Sequence, residues 1–391
     1  MDVEESDRKA DPLTSRDPLS LESLLEEGGL PSTLTAHLTS VGATLNELQA
    51  LRLGKGRSAL LERLKILGVT PITDRQKVAS VLARASRSGR IDTKLHAPSV
   101  DFVSQAANGK IAFLFLIYDC IHHEPLWETY FHGAASSEHY SIYVHAKSRA
   151  KPLSPFFEKA HLPAADVVET AYADISLVQA MRTLLRAALQ DPANRKFVFV
   201  SGACVPVKPF SFAYASITGT DSCRFSAMVD LGNDDREQQR KLIAAGARHG
   251  LEQNHVAKAS QWSILNHRVA SACASASPGF VSAFAGIRAP DEWFFYTTAR
   301  FTAAASGVED LIAAPDLHRN HCGPTFVNWR DADGEPSRPL QYTRVCIDDL
   351  FAMVHGPSFF ARKFAASCEQ DLRPLEAMLS QAPGPYVKVA R

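Results

Sequence analysis

Two adjacent carboxylates, Asp291 and Glu292, lie between a proline and three aromatic residues in the stretch APDEWFF at 289–295. Apolar surroundings raise the pKa of a carboxyl group and suit it to proton transfer. The same pattern is typical of a helix start, with proline early, acids near the positive end of the dipole and aromatics on the buried face. Taken alone, the stretch favours the helix start, because acid-rich first turns are common.

Two other stretches contain residue types that metals bind. HRNHC at 318–322 offers two histidines and a cysteine but no fourth ligand at workable spacing, so zinc is not predicted. DADGE at 331–335 resembles a calcium loop, yet the twelfth position from Asp331 is Tyr342 rather than a glutamate. A polar surface turn is therefore the favoured interpretation of DADGE.

Composition excludes several classes of partner. The 391 residues are 46% apolar and 21% charged, which is typical of a globular protein. Lysine plus arginine and aspartate plus glutamate both number 42, so no overall field recruits nucleic acid or an anionic membrane. Seven cysteines without a CxxC pair predict mostly buried free thiols. Neither the acidic N-terminal stretch nor the Ala/Ser-rich run at 269–287 predicts a signal peptide or a membrane span.

Residues 19–90 form the first predicted domain and show helical leucine spacing, with glycines such as Gly54 between the expected helices. The stretch LKILGVTPITDRQKVASVL at 64–82 predicts a turn, a helix cap at Asp74 and a basic amphipathic helix. This five-helix arrangement resembles a sterile alpha motif domain, which implies a protein partner or self-association. A solvated face is favoured over nucleic-acid binding for the basic residues, which are Lys77, Arg84, Arg87 and Arg90.

We predict a polar, disordered tail at 1–18 and a linker at 91–108 between the two domains. Strand-like and helical segments alternate in the second predicted domain, 109–391. Continuous apolar runs are typical of strands buried in a parallel sheet, and an amphipathic helix separates the last two. The strand segments are 110–119, 140–147 and 196–207, and the helix is 176–191. We therefore predict an α/β domain whose mostly parallel sheet is flanked by helices.

The carboxyl ends of these strands are the expected ligand-binding edge. That edge comprises Tyr118-Asp119, His145-Ala146-Lys147 and Ser201-Gly202-Ala203. No GxGxxG follows a strand and no GxxxxGK[ST] is present, so neither dinucleotide nor P-loop binding is predicted.

Eight segments across about residues 110–364 resemble, in the same order, the core-2/I-branching β-1,6-N-acetylglucosaminyltransferases. The segments are KIAFLFLIYDCIHHEPLWETYFHG, YSIYVHAK, YADISLVQAMRTLL, FVFVSGACVPVKPF, KASQWSILNHRVA, APDEWFF, FVNWRDADG and TRVCIDDL with FFARKF. The plant branch of that family is the more similar, because it has a cysteine at the position of Cys204 where animal members carry an acid.

The resemblance implies a GT-A-like fold and inverting transfer of a GlcNAc-like sugar from a UDP-sugar to a hydroxyl of a glycan or glycoprotein. It implies no cofactor and no bound metal. Glu292 takes the position of the family's catalytic base, since a single displacement needs one carboxylate to accept the proton of the attacking hydroxyl. Arg344 and Lys363 take the positions of the basic residues that neutralise the departing diphosphate.

The resemblance also assigns substrate contacts. His145 lies where animal members hold uracil with an acid, and this departure bears on the preference for UDP. The further nucleotide contacts would be Ile117, Ser201 and Gly202. The acceptor contacts would be Trp329, Trp262, Gln261 and Asp291.

Two alternatives remain open at the level of sequence. One is a catalytically inactive transferase fold that acts as a scaffold through the helical module. The other is a metal-dependent transferase that uses the D-x-D of Asp331 and Asp333, although such a motif follows an early strand in those enzymes. Family members carry an N-terminal anchor and face the Golgi lumen. This sequence shows no anchor, so we expect either an unusual compartment or a missing N-terminal exon.

Overall fold

The computed structural model describes residues 20–88, 109–134, 136–228, 231–313, 323–329 and 339–380. The chain divides into two compact units, Met1–Lys94 and Leu95–Arg391. The predicted tail at 1–18 and linker at 91–108 lie outside the described residues, and the domain limits 19–90 and 109–391 stay predictions.

The first unit is helical around a leucine-rich core. Ser20 and Thr44 cap the first and third helices, and each side chain accepts a hydrogen bond from the backbone N–H three residues later. Leu25, Leu48 and Leu82 are fully buried where the helices meet. The helices are α1 (Leu21–Glu27), α2 (Ser32–Ser40), α3 (Leu45–Ile66) and α4 (Ile72–Arg87).

Two details of this unit differ from the prediction. The described part of the first unit contains four helices rather than five, because Gly54 lies inside the 22-residue α3 instead of ending a helix. One glycine costs a helix about 1 kcal/mol, which packing of the leucines offsets. Asp74 is not the cap of α4, since Pro71 holds that position and Asp74 lies in the first turn. The likeness to a sterile alpha motif remains a prediction.

The second unit alternates strands and helices. Its strands are β1 (Lys110–Ile117), β2 (Tyr140–Ala146), β3 (Asn194–Ser201), β4 (Val205–Pro206), β5 (Ile264–Asn266), β6 (Thr325–Val327) and β7 (Phe360–Arg362). Its helices are α5 (Glu124–His132), α6 (Pro155–Glu158), α7 (Ile175–Ala188), α8 (Phe210–Thr218), α9 (Asn233–Gly246), α10 (His267–Ser275), α11 (Pro278–Ser282), α12 (Asp291–Ser306), α13 (Ile347–His355) and α14 (Arg373–Leu379).

The main sheet has the strand order β2-β1-β3-β5, in which only the edge strand β5 runs antiparallel. Ile117 pairs with Ala146 and Leu116 with Ser201, so the three parallel strands end at one edge. A second sheet has the order β4-β7-β6. The predicted α/β fold with a mostly parallel sheet is confirmed, and it is consistent with a GT-A-like arrangement.

The apolar side chains of β1 pack against helices on both faces of the sheet. Phe113 makes edge-to-face contacts with Trp127 and Phe131 of α5. Leu114 lies in the opposite cluster with Leu184 of α7. A strand buried on both faces needs no polar alternation, which explains its continuous apolar sequence.

The third predicted strand, 196–207, is divided by a turn. β3 ends at Ser201, whose carbonyl accepts a hydrogen bond from the Cys204 N–H at 3.0 Å. The chain then enters the second sheet as β4. The small residues of this turn therefore connect the two sheets, where the apolar pattern alone indicated one strand.

Within the described residues, no helix combines the length and apolar character needed to cross a bilayer. Cys204, Cys223, Cys273 and Cys368 are buried free thiols, Cys120 is half-buried, and Cys346 is exposed.

We predict that Gly202→Ala destabilises the second unit by about 1–3 kcal/mol. A Cβ at this position would lie 2.2 Å from the carbonyl oxygen of Cys120, and that backbone has no flexible side chain to move aside. Denaturant unfolding followed by tryptophan fluorescence measures the loss. Gly286→Ala is the matched control, because its methyl group would meet no atom of the described residues within 4 Å. Equal stability of the two variants would contradict the close approach.

Candidate functional site

The end of β7 lies against the carboxyl end of β3. Val205 of β4 pairs with Ala361 of β7, and the Phe364 N–H donates to the Ala203 carbonyl at 3.0 Å. These backbone contacts bring Arg362 and Lys363 to the edge where the parallel strands end. A segment late in the chain thus completes the ligand-binding edge predicted from the strands.

Glu292 lies in the first turn of α12 and remains open to solvent. Its side chain is 25% exposed, and its Oε2 lies 3.2 Å from Lys258 Nζ. Lys258 also pairs with Asp235 Oδ1 of α9 at 2.8 Å. Burial lowers the pKa of Lys258, but the two carboxylates outweigh it and the net shift is upward. Glu292, the base predicted from the sequence, is therefore held by Lys258, and Asp235 holds Lys258 in turn.

Asp291 has the opposite environment one residue earlier. It is the first residue of α12, as predicted, and is 4% exposed. No described residue hydrogen-bonds its buried Oδ1. Burial, followed by the charge of Glu292, raises the pKa of Asp291 to about 7. The acceptor contact expected of Asp291 stays a prediction, and it would require the surrounding side chains to move.

Trp262 links the predicted acceptor side to the cations. Its ring is 6% exposed, and the Arg362 guanidinium carbon lies 4.7 Å from the ring centroid. Gln261, next to it, is half-buried, and its carbonyl accepts from the Ser263 N–H at 3.0 Å. Trp329 is also half-buried and lies two residues after Val327, which pairs with Arg362.

Sequence reasoning did not assign Arg362, although the structure places it among the predicted residues. Burial lowers the pKa of its guanidinium, and the negative charge of the Glu292 carboxylate opposes part of that shift. Burial and the charge of Arg362 together lower the pKa of Lys363. The charge of Glu292 therefore acts on Arg362, and the charge of Arg362 acts on the adjacent Lys363. The signal was present in FFARKF, where a strand ends on two consecutive cations.

Arg344 is less closely integrated. Its segment runs beside Lys363, since the Tyr342 N–H donates to the Lys363 carbonyl at 2.8 Å. The Arg344 side chain itself is exposed. The predicted pairing of Arg344 with Lys363 on a diphosphate thus has backbone proximity, and the role of the guanidinium stays a prediction.

The predicted nucleotide contacts are placed at the strand ends but are mostly buried. His145 is fully buried, accepts from the Val168 N–H through Nε2 at 2.9 Å, and has its pKa lowered by burial. Ile117 is 5% exposed. Ser201 directs its hydroxyl to Cys204 Sγ at 3.1 Å, and Gly202 contacts the backbone of Cys120. These residues shape the edge, and their contacts with a nucleotide stay predictions.

The sequences HRNHC and DADGE fall outside the described residues. Among the residues that the structure does describe, no cluster of three or more histidine, cysteine or acidic side chains is placed to hold a metal ion.

Comparison with known proteins agrees with the resemblance found in the sequence. The family model described as Core-2/I-Branching enzyme matches residues 111–354, more than half of the chain. A rice protein, Glycosyltransferase BC10 of Oryza sativa subsp. japonica, is 28% identical over 166 residues, which are 41% of this chain and 39% of that protein. The match therefore covers well under two thirds of the relative's length.

We predict that replacing Asp291 with asparagine changes how stability depends on pH. The pKa of Asp291 is about 7 in the folded protein, against an ordinary aspartate value of 3.8, so the folded protein holds this proton more tightly than the unfolded chain does. Stability from this group is complete at low pH and is lost as pH rises toward 7. The asparagine amide cannot ionise, so from pH 5 to pH 8 the variant should gain about 3 kcal/mol of unfolding free energy relative to the parent protein.

Denaturant titrations at pH 5 and pH 8 measure this difference. The control is Asp166→Asn, which changes an exposed aspartate. A stability difference for Asp291→Asn that is constant between the two pH values would show that Asp291 ionises as freely as a surface acid.

Proposed function

We propose a glycosyl-transfer function from the premise that the chain belongs to the Core-2/I-Branching enzyme family. The protein would move a GlcNAc-like sugar from a UDP-sugar to a hydroxyl of a glycan or glycoprotein, with inversion and without a bound metal. The observation that supports this proposal is the solvent-open Glu292 carboxylate, which is held by Lys258 and whose charge acts on Arg362, where β7 ends beside the carboxyl edge of the parallel sheet.

In the proposed reaction Glu292 is the general base. The acceptor oxygen bonds to the anomeric carbon as the bond from that carbon to the diphosphate oxygen breaks. The proton of the acceptor hydroxyl passes to Glu292, and the electron pair of the broken bond leaves on the nucleoside diphosphate. Asp291 does not suit this role, because a nearly sealed carboxyl cannot reach a sugar hydroxyl.

Lys258 and Asp235 orient this base. The ion pair with Lys258 restricts the rotamers of the Glu292 carboxylate. The second ion pair, between Lys258 and Asp235, holds the ammonium group in place. Lys258 also lies 6.0 Å from the centroid of the Trp293 ring, which restricts it further. A base held in one orientation lowers the entropy cost of aligning its carboxylate with the acceptor hydroxyl.

On the donor side, fixed cations would do what a divalent ion does in other transferases. Lys363 and Arg344 take the phosphate-binding positions of the family and would neutralise charge as it develops on the departing diphosphate. Trp262, Gln261 and Trp329 would border the acceptor, since aromatic faces pack well against sugar rings.

We predict that the purified full chain hydrolyses or transfers at least one UDP-sugar and that EDTA leaves the rate unchanged. A panel of nucleotide sugars assayed with EDTA or with Mn²⁺ measures donor choice and metal need together. Turnover that requires Mn²⁺ and is lost in Asp331→Asn or Asp333→Asn would replace this mechanism with a metal-dependent one. A folded protein without turnover on any donor would favour the scaffold alternative.

We predict that Glu292→Gln lowers turnover by about two to four decades and leaves UDP affinity nearly unchanged, because the amide keeps the shape but accepts no proton. Steady-state kinetics and calorimetric titration with UDP measure the two quantities. Glu237→Gln is the matched control, since Glu237 pairs with Lys241 on the exposed face of α9. Turnover equal to that of the control would remove Glu292 from the mechanism.

A further inference from the structure

The loop between β1 and α5 places two adjacent histidines against the segment that follows β7. His122 Nδ1 lies 2.7 Å from the Phe364 carbonyl oxygen, and His123 Nε2 lies 3.0 Å from the Ala365 carbonyl oxygen. A carbonyl oxygen can only accept a hydrogen bond, so both of these ring nitrogens are donors. In their neutral forms the two rings therefore carry the proton on different nitrogens, Nδ1 in His122 and Nε2 in His123.

The two histidines differ in their environment. His123 is 3% exposed, whereas His122 is half-buried, and their rings meet edge to face with centroids 6.3 Å apart. Burial lowers the pKa of His123, and the hydrogen bond to Ala365 opposes only part of that shift. His123 is therefore a neutral donor at neutral pH, and its single N–H is committed to the Ala365 carbonyl.

The same loop is also joined to the end of β3. The backbone N–H of His122 donates to the Gly202 carbonyl at 2.8 Å. His122 thus contacts the turn after β3 through its backbone and the segment after β7 through its ring. A residue with both contacts fixes the position of the late segment relative to the ends of the parallel strands.

The backbone of the segment after β7 is hydrogen-bonded at each polar group from the Lys363 carbonyl to the Ala365 carbonyl. The Tyr342 N–H donates to Lys363 and the Tyr342 carbonyl accepts from Ala365, both at 2.8 Å, while the Phe364 N–H donates to the Ala203 carbonyl at 3.0 Å. The histidine rings supply the donors for the two other carbonyls, those of Phe364 and Ala365. Because a buried carbonyl that loses its donor is costly, removing either ring donor favours a shift of this segment.

We propose that His122 and His123 are positioning residues for the donor substrate, which hold the backbone directly after Lys363 and thereby keep its ammonium group at the carboxyl edge of the sheet. This inference rests on the proposed function, in which Lys363 contacts the diphosphate, and it adds the residues that orient this cation. The role requires no contact between the histidines and the substrate. The first carbonyl that they hold belongs to the residue next to Lys363, so a shift there moves the ammonium group as well.

The test uses amide side chains that either keep or displace each donor. The amide nitrogen of asparagine is bonded to Cγ, as Nδ1 is, and that of glutamine lies one atom further out, as Nε2 does. His122→Asn and His123→Gln therefore keep the donor, whereas His122→Gln and His123→Asn displace it. In calorimetric titration of the full chain with UDP, the displaced variants should bind about 5- to 30-fold more weakly than the parent protein. The variants that keep the donor should recover most of the affinity.

A double-mutant cycle tests whether the effect passes through Lys363. Lys363→Ala alone should weaken UDP binding, and His122→Gln added to it should weaken binding little further. His37→Leu is the matched control, because it removes a ring hydrogen bond to the Leu67 carbonyl, 2.7 Å long, in the first unit. This control should leave UDP affinity unchanged. Melting temperatures establish that each variant is folded, and His123→Asn supplies the measurement if His122→Gln does not fold.

The outcomes separate this inference from the proposed function. UDP affinity that is the same in the parent protein and in all four histidine variants would overturn the positioning role and leave the proposed function intact. Losses that add fully in the cycle with Lys363→Ala would also overturn it, because the histidines would then act independently of that cation. A folded parent protein that does not bind UDP, or a Lys363→Ala variant that binds UDP as well as the parent does, would overturn the proposed donor site and this inference with it.

Discussion

The antiparallel pairing of β4 with β7 is the constraint on which the candidate site depends. Val205 and Ala361 are far apart in sequence, yet their pairing brings a late segment to the end of β3. Without the pairing of β4 with β7, the cations Arg362 and Lys363 would not lie at the carboxyl edge of the parallel sheet. The small residues of the turn after Ser201 make this possible, because the Gly202 position already touches the Cys120 backbone and leaves no room for a side chain.

Asp291 and Glu292 are adjacent carboxyl groups in different environments, because the first is buried and the second is open to solvent. Successive helical residues point about 100° apart, so the start of α12 turns Asp291 inward and Glu292 toward solvent. Asp291 retains its proton up to a pKa of about 7, while Glu292 faces a lysine. The charge of Glu292 adds to the effect of burial in raising the pKa of Asp291.

Much of the fold could be predicted from sequence because its signals are local. The apolar run of β1 and the amphipathic pattern of α7 both gave elements close to the observed ones. The break after Ser201 was missed, since apolar residues continue through the turn into another sheet. Gly54 was assigned to a break because the packing that holds glycine inside α3 is not visible in the sequence.

The site was less accessible to prediction than the fold, for a physical reason. The sequence identified Asp291 and Glu292 as a carboxylate pair suited to proton transfer, but only the structure shows that the first is buried and the second is open to solvent. Lys258 and Arg362 make their contacts across the fold: Lys258 pairs with Asp235 and Glu292, and Arg362 stacks on Trp262. A single sequence carries no record of such contacts, and the role that the family resemblance assigns to Lys363 stays a prediction.

In the proposed mechanism, the arrangement of charges would explain why fixed cations suit this edge. A divalent ion here would require acidic ligands, and those ligands would oppose the anionic diphosphate once the ion left. Arginine and lysine are positive without such ligands, so in the proposed function the fold itself would supply the electrostatic attraction for the diphosphate. The cost is that two cations must remain close together without substrate, and burial raises that cost. Stacking on Trp262 offsets part of it, because the ring face attracts the guanidinium while leaving its donor edge available.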